Sequence, residues 1–330
     1  MPRQKRFVNT GKGSFFGDLV YESYLKRHPN HFLVALNNLF DWNSYSERLL
    51  RLYKGKGREG RPPYDPVLMF KLLFICYLYN VSEREVERLA DEHLMVKWFL
   101  GLAVDMAPPD HTSLTVFKER LLTNGGWETL QGIFSDLVRE AAKQGLQLGQ
   151  IQVLDSVHTQ ANVNNIKDRE RQARGQGPRD PDARVVNKGK RRVVTADGSE
   201  AVKEIRYRGY KTHTSMNAET DIVTSIVPAL GNTADNKAYP ALRKQDRELG
   251  LPVTTYCGDR AYDDTDIYTR LDDEGLCSAI TLNDYRTHKQ DDKKEPWLTL
   301  QASKTYRDGH AVRYRVEQPY GWSKAWHGFE

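Results

Sequence analysis

Up to about residue 148, the apolar positions recur with the spacing of helices. PPYDPVLMFKLLFICYLYN is apolar nearly all round, which predicts a buried central helix. Asp65 stands where it can cap that helix, and Pro66 takes its first position, where a missing N–H costs nothing. SEREVERLADEH predicts the next helix, with Ser82 and Glu85 at the spacing of a capping box. VKWFLGL predicts a short one. After APPDHT, SLTVFKERLL predicts another, with Thr112 as its cap, and WETLQGIFSDLVREAAKQG an amphipathic one that stops at Gly145. Short helices joined by tight turns suit either a helix-turn-helix DNA-binding module or a bundle with no nucleic acid in it.

The pattern then changes. IQVLD is a short apolar run of strand type ending on an acid. Residues from about 166 to 204 are rich in Arg, Lys, Gly and Pro, and their low apolar content predicts an exposed basic insertion or linker. KEIRYRGYKTHTSMN and DIVTSIVPAL read as strands joined at AET, hence a hairpin. A helix follows from about Asp235 to Leu249. PVTTYCGD is a further strand ending in an acid, TDIYTRLDDEG a helix closed by Gly275, and CSAITLN a strand. The expected organisation is an all-α domain over 1–148 and a mixed α/β domain over 149–330, without internal repeats.

Length and composition fit two soluble domains: 330 residues, 39% apolar and 28% charged. The net charge of +5 permits a nucleic-acid partner without demanding one. Cys76, Cys257 and Cys277 lie far apart and show neither zinc-ligand spacing nor a disulfide framework, so reduced thiols are expected. The basic N-terminus lacks the apolar run of a signal peptide, and the apolar stretch Val67 to Tyr79 is interrupted by Lys71 and too short to span a bilayer. A cytoplasmic protein is the expectation.

Two acids stand out because each ends a strand. Asp155 closes Ile151 to Leu154, and Asp259 closes Val253 to Gly258. If the strands are parallel neighbours, both carboxylates reach one divalent ion, and hard oxygen ligands suit Mg²⁺ or Mn²⁺. Two such ions about 3.5–4 Å apart can hold both oxygens of a phosphoryl transfer. The other reading is that each Asp caps the turn that follows it. Near the C-terminus, Arg313, Glu317 and Lys324 are spaced four and seven apart, within about 40° of one face of an ideal helix. That face would carry an acid between two cations, either as a third ligand with phosphate contacts or as an ion-paired surface. Pro319 is compatible with a helix that begins near Glu317, and Arg313 then precedes it.

With these residues in place, the chain resembles the DDE transposases of bacterial insertion sequences. YKGKGREGRPPYDPVLMFKLLFICYLYNVSEREVERL, with WFLGL and PDHTSLTVFKERL, is similar to their N-terminal domain. VLDSVHTQANVN resembles the first-Asp strand, and RGYKTHTSMNAETDIVTSIVPALGNTADN the second and third strands. YCGDRAYDD resembles the second-Asp motif and RYRVEQPYGWSK the third-acid motif. In the last, Arg313, Glu317 and Lys324 match the family's spacing, whereas His310 stands where the family often has Tyr.

The resemblance implies an RNase H-like catalytic domain in which Asp155, Asp259 and Glu317 ligate Mg²⁺, with Mn²⁺ as a substitute. It implies binding of terminal inverted repeats, strand cleavage, strand transfer into target DNA, and a homodimer working on paired ends at the nucleoid. Candidate DNA contacts are Arg313 and Lys324, Lys118 and Arg120 on the SLTVFKERL helix, and Lys188, Lys190, Arg191 and Arg192 in the basic segment. The chain ends 13 residues after Glu317, where the family continues with a further helical segment. A truncated copy, a deliberate fragment and a frameshifted remnant are the readings of that early end, and a catalytically inactive DNA-binding derivative or repressor stays open as the alternative function. A repair or defence nuclease of the same fold is a third reading.

Overall fold

The computed structural model describes residues 7–10, 15–53, 62–194 and 200–327. The chain forms two compact units, the first reaching Glu140 and the second beginning at Ala141 and reaching Ala325.

The first unit is helical: α1 Phe15–Arg27, α2 Phe32–Leu39, α3 Ser46–Leu50, α4 Pro66–Leu78, α5 Glu83–Glu92, α6 Leu94–Leu100, α7 His111–Thr123 and α8 Gly126–Lys143. Its core is one cluster around α4, whose Leu72 and Ile75 are fully buried with Leu33, Leu49, Val86, Met95, Phe99 and Phe117. Burying each such side chain contributes roughly 1.5–3 kcal/mol, so the all-round apolar α4 organises the unit. The helix starts are set by local chemistry. The Asp65 carboxylate accepts from the backbone N–H of Val67 at 2.8 Å and of Leu68 at 3.3 Å, with Pro66 at the first position. Ser82 and Glu85 form the complete reciprocal box. At α7 the expectation fails: Asp110, not Thr112, is the cap, accepting from Ser113 N–H at 2.7 Å. The Thr112 hydroxyl donates to the same carboxylate, an acceptor stronger than itself.

The second unit begins with β1 Ile151–Gln160, α9 Asn165–Ala173, β2 Arg184–Val194, β3 Glu200–Asn217 and β4 Ile222–Leu230. It continues through α10 Tyr239–Glu248, β5 Thr255–Gly258, α11 Thr265–Asp273 and β6 Cys277–Ile280. The last elements are α12 Asp284–Thr287, α13 Asp291–Ala302, α14 Lys304–Val312 and α15 Glu317–His327. β3 lies antiparallel to β1 and to β4, while β1, β5 and β6 run parallel. This is an RNase H-like mixed sheet, preceded by the helical unit, as the sequence predicts. Where a loop was expected between 166 and 204, the chain forms α9 and the strand β2, which pairs with the first half of β3. Charges at successive positions hid the alternation of that strand, and the partner that supports it is the extension of β3.

The alternation of side chains sorts the core onto two faces. Leu154, Tyr256 and Ile280 point to one, against Tyr239 and Leu242 of α10 and Ile267 and Leu271 of α11. Val153, Cys257 and Ala279 point to the other, with Met216 and Val316. On this second face α14 lies close to β6: a Cβ added at Gly309 would stand 2.5 Å from the Ala279 Cβ. Gly309→Ala is therefore expected to push the helix outward and cost about 1–3 kcal/mol. Urea unfolding checks it, and an unchanged midpoint would refute the close approach.

No single helix among the described residues is long and apolar enough to cross a membrane. All three cysteines are free, Cys76 and Cys257 buried and Cys277 exposed.

Candidate active site

Asp155 stands two positions beyond Val153 on β1, so its side chain shares the face of Val153. Asp259 stands two positions beyond Cys257, at the end of β5. The parallel register pairs Leu154 with Gly258, which makes Asp155 and Asp259 the next positions on adjacent strands. Gly258 lies close to Tyr262: a Cβ there would stand 3.2 Å from the Tyr262 ring, tight enough that the ring would have to shift by a few tenths of an ångström. Asp259 caps the 3₁₀ turn Arg260–Tyr262, its Oδ1 accepting from Ala261 N–H at 2.9 Å. The capping reading of the sequence is thus realised at Asp259, and the acid still lies beside Asp155.

The two carboxylates feel each other. Burial pushes the Asp155 carboxyl up to about 6. The Asp259 and Asp235 charges act in the same sense, while the backbone N–H of Ser156 and the Arg313 cation act against it. Asp235 is itself held well below the carboxylate range by hydrogen bonds from His213, Lys211 and Ser156, which outweigh its burial. Its partner Lys211 reaches it at 2.8 Å.

The sign of the Asp155 shift gives a test. A free Asp titrates near 3.9, so ionising this one disfavours the fold. Below about pH 4 the group is neutral in both states and costs nothing; above about 6 the full penalty applies, about 2–3 kcal/mol. In chelator, Asp155→Asn is expected to stabilise the protein by that amount at pH 7.5 and not at pH 4, as measured by urea unfolding. Destabilisation at pH 7.5 would refute it.

Glu317 arrives from the C-terminal segment. Arg313 to Val316 form a 3₁₀ turn and α15 starts at Glu317, with Pro319 in its first turn. Arg313, Glu317 and Lys324 therefore do not share one helix face, because the tighter turn breaks the register between Arg313 and the other two. The turn is fixed by its last two residues, Arg315 and Val316. Val316 is fully buried with Val153 and Cys257, which ties the residue before Glu317 to the face that carries both acids. Arg315 holds the Asp221 carboxylate with two contacts, at 2.9 and 3.0 Å, and also donates to the Ala218 carbonyl. The Tyr320 hydroxyl is hydrogen-bonded to Thr214, the residue opposite Asp155 on β3. Arg315, Tyr320 and Thr214 were not singled out in the sequence; the only signal was that the first two flank Glu317 in its motif.

The acids do not form a closed triad. Glu317 is exposed, and among the described residues no three His, Cys, Asp or Glu side chains converge to hold a metal ion. Lys324 is half-buried on α15, two turns beyond Glu317. In the helical unit, Lys118 pairs with Glu83 at 2.7 Å and the Arg120 guanidinium lies 4.3 Å from the centre of the Tyr53 ring. Lys190 and Arg192 are exposed on β2, whereas the side chains of Lys188 and Arg191 lie outside the described residues.

A mixed sheet of this topology, with two acids on neighbouring parallel strands, defines a class of fold: RNase H-like α/β proteins. The family follows from sequence. The model described as Transposase DDE domain matches residues 150–330, and Transposase domain (DUF772) matches 22–120. The chain belongs to the DDE transposase family.

Among solved structures, it is similar to a piggyBac transposase synaptic complex with hairpin DNA: 12% identity, 84% of this chain and 55% of that one, TM-score 0.36. The Mos1 transposase paired-end complex with left transposon end shows 11% identity, 84% and 83% coverage and a TM-score of 0.23. The Mos1 mariner paired end complex with Mn shows 12% identity, 86% and 88% coverage and a TM-score of 0.24. The chain spans about half the length of the piggyBac chain, 55%.

Proposed function

We propose that this chain is an insertion-sequence transposase that binds terminal inverted repeats, cuts a DNA strand at the element's end and joins the freed 3′-hydroxyl to target DNA. The observation that carries the reading is the pair Asp155 and Asp259, adjacent on parallel strands beneath the turn that leads into Glu317.

The donor set fits a divalent cation. Both acids offer hard oxygens, and Asp155 is penalised for its charge as the fold stands, a penalty that a cation relieves. The buried Tyr262 hydroxyl, whose ionisation is opposed by burial and by the Asp235, Asp155 and Asp259 charges, has no hydrogen-bond partner among the described residues. Asp155 and Asp259 would hold Mg²⁺ or Mn²⁺, with Glu317 as the third ligand. The bound ion would supply Lewis acidity toward a phosphoryl oxygen. Arg313, whose charge reaches Asp155, would orient the scissile phosphate, and Lys324 would hold the backbone beyond it. The protein would work in the cytoplasm as a homodimer on paired ends.

The test is incubation of duplexes ending in the element's terminal repeats with the protein and Mg²⁺ or Mn²⁺. A nick at the repeat end is expected. Binding of the repeats without cleavage under either ion would favour the second reading, a catalytically inactive DNA-binding derivative. One observation favours that alternative: Glu317 stands exposed, outside any three-acid group among the described residues.

A further inference from the structure

The charge of this protein is concentrated in one place. The sequence from Arg184 to Arg208 holds eight Lys and Arg against three Asp and Glu, an excess of five, and the whole chain carries +5. Outside these residues the chain is balanced. The stretch corresponds to β2 and the first half of β3, which form a two-stranded ribbon. From Glu200 to Arg208, β2 is the strand partner of β3; pairing with β1 starts at Gly209 and with β4 at Tyr210.

The ribbon is held at its base and open along its length. At the base, the Arg208 guanidinium pairs with the buried Asp168 of α9, which also accepts from Arg179 N–H at 2.8 Å. The Tyr210 hydroxyl donates to Asp180. Arg184 and Val185 at the base, and Lys190, Arg192, Arg206, Val194 and Val202 further out, are exposed, Arg206 lying 2.6 Å from Glu204 of its own strand. A rigid foot under an exposed cationic arm is what presentation to a polyanion requires. At about 3.3 Å per residue, the nine positions of β3 from Glu200 to Arg208 extend roughly 30 Å, close to one turn of duplex. Two strands fit the major groove, about 12 Å wide, without deforming the duplex, whereas the minor groove, about 6 Å wide, would have to be opened.

We propose that the β2–β3 ribbon is a DNA-contacting arm that lies in the major groove of duplex DNA, its basic side chains meeting the flanking phosphates. The inference rests on the duplex-DNA reading given under Proposed function and adds to it the element, the groove and the contact set.

The test uses the full chain and a duplex of about 30 base pairs of arbitrary sequence, with affinity followed against salt. The variant Arg184→Ala, Lys190→Ala, Arg192→Ala, Arg206→Ala alters exposed positions only. Each phosphate contact contributes about 0.9 to the slope of log affinity on log salt, so the slope is expected to fall by about 3–4. Protection of guanine N7 from dimethyl sulfate is expected to be lost with it. The charge-retaining variant Arg184→Lys, Lys190→Arg, Arg192→Lys, Arg206→Lys is expected to keep the wild-type slope, which separates charge from damage to the ribbon. An unchanged slope in the alanine variant would overturn the proposal. So would self-association of the wild type that the alanine variant loses while its slope stays, since the ribbon would then be an interface with a second copy. A wild type that binds no duplex at any salt would overturn the underlying DNA reading, an outcome distinct from failure of the ribbon alone.

Discussion

Asp155→Asn and Asp259→Asn are each expected to lower single-turnover strand cleavage by on the order of 10³-fold or more, equal to about 4 kcal/mol of transition-state stabilisation. Binding of the same duplex should change little. The substitution keeps volume and shape. At Asp155 the amide oxygen still accepts from Ser156 N–H, now at 2.7 Å, and at Asp259 from Ala261 N–H, now at 2.9 Å. What is lost is one negative charge and one hard ligand in a pair that lies on neighbouring strands, so the effect belongs to the chemistry and not to the fold. Asp155→Asn carries a second signature: it stabilises the metal-free protein near neutral pH while abolishing cleavage. A residue that only held the sheet together would lose both together. Cleavage within tenfold of wild type in both variants would remove the two acids from the mechanism.

The acids were legible because their faces follow from strand alternation, although Asp155 does not end its strand: β1 continues to Gln160, paired with β3, and only Asp259 stands at a strand end. Alternation fixes which side chains share a face, and Val153 with Asp155, like Cys257 with Asp259, needs no tertiary knowledge. Helix caps at Asp65 and Ser82 were legible for the same reason, since capping is satisfied within three residues. At α7 the spacing points to Thr112, whereas the cap is Asp110, two residues earlier, whose carboxylate is the stronger acceptor. The strand β2 was hidden because Lys and Arg stand at five of its eleven positions, three of them in succession, and its support comes from a partner strand. The single helical face through Arg313, Glu317 and Lys324 assumed one regular helix, and the 3₁₀ turn at Arg313–Val316 breaks it.

Buried carboxylates were the least legible feature. Asp246 stands in the charged run YPALRKQDRE of α10, yet it is fully buried. It accepts from Ser215 at 2.7 Å, Ser225 at 2.5 Å, Thr224 at 3.2 Å and Tyr256 at 2.8 Å. Burial holds its carboxyl above the usual range against those hydrogen bonds. Its donors come from β3, β4 and β5, and no local pattern announces a partner set gathered from three strands.

Arg286→Met is expected to destabilise the catalytic unit by about 3–5 kcal/mol, the cost of leaving a buried charge uncompensated. The charge is that of Asp263, four residues after Asp259. Its side chain is fully inaccessible and that of Arg286 is 5% exposed, and their contact is 2.5 Å. The remaining acceptor capacity of Asp263 is filled by Asn283 through its backbone N–H at 2.8 Å and its amide at 2.9 Å, and by the Tyr268 hydroxyl at 3.0 Å. The guanidinium also lies 4.4 Å from the centre of the Trp297 ring and 5.3 Å from that of Tyr268, so the planar group is held by its faces as well as its edges. Arg286→Lys keeps the charge but loses the stacking and the fork, and an intermediate loss is expected. The double variant Asp263→Asn, Arg286→Met removes both charges while the amide oxygen can still accept from Asn283, and should recover much of the stability, because desolvation of the pair offsets most of its attraction. Urea unfolding of the three variants gives the comparison, and a loss under about 1 kcal/mol for Arg286→Met would refute the buried-pair account. The consequence reaches the active site through the chain itself. Asp263 follows the turn Arg260–Tyr262 that Asp259 caps, so the clamp that holds Asp263 also limits where Asp259 can point. Arg286→Lys should therefore cleave more slowly than its residual stability predicts, with a weaker apparent affinity for Mg²⁺, since a looser Asp259 lowers ligand preorganisation before it unfolds anything.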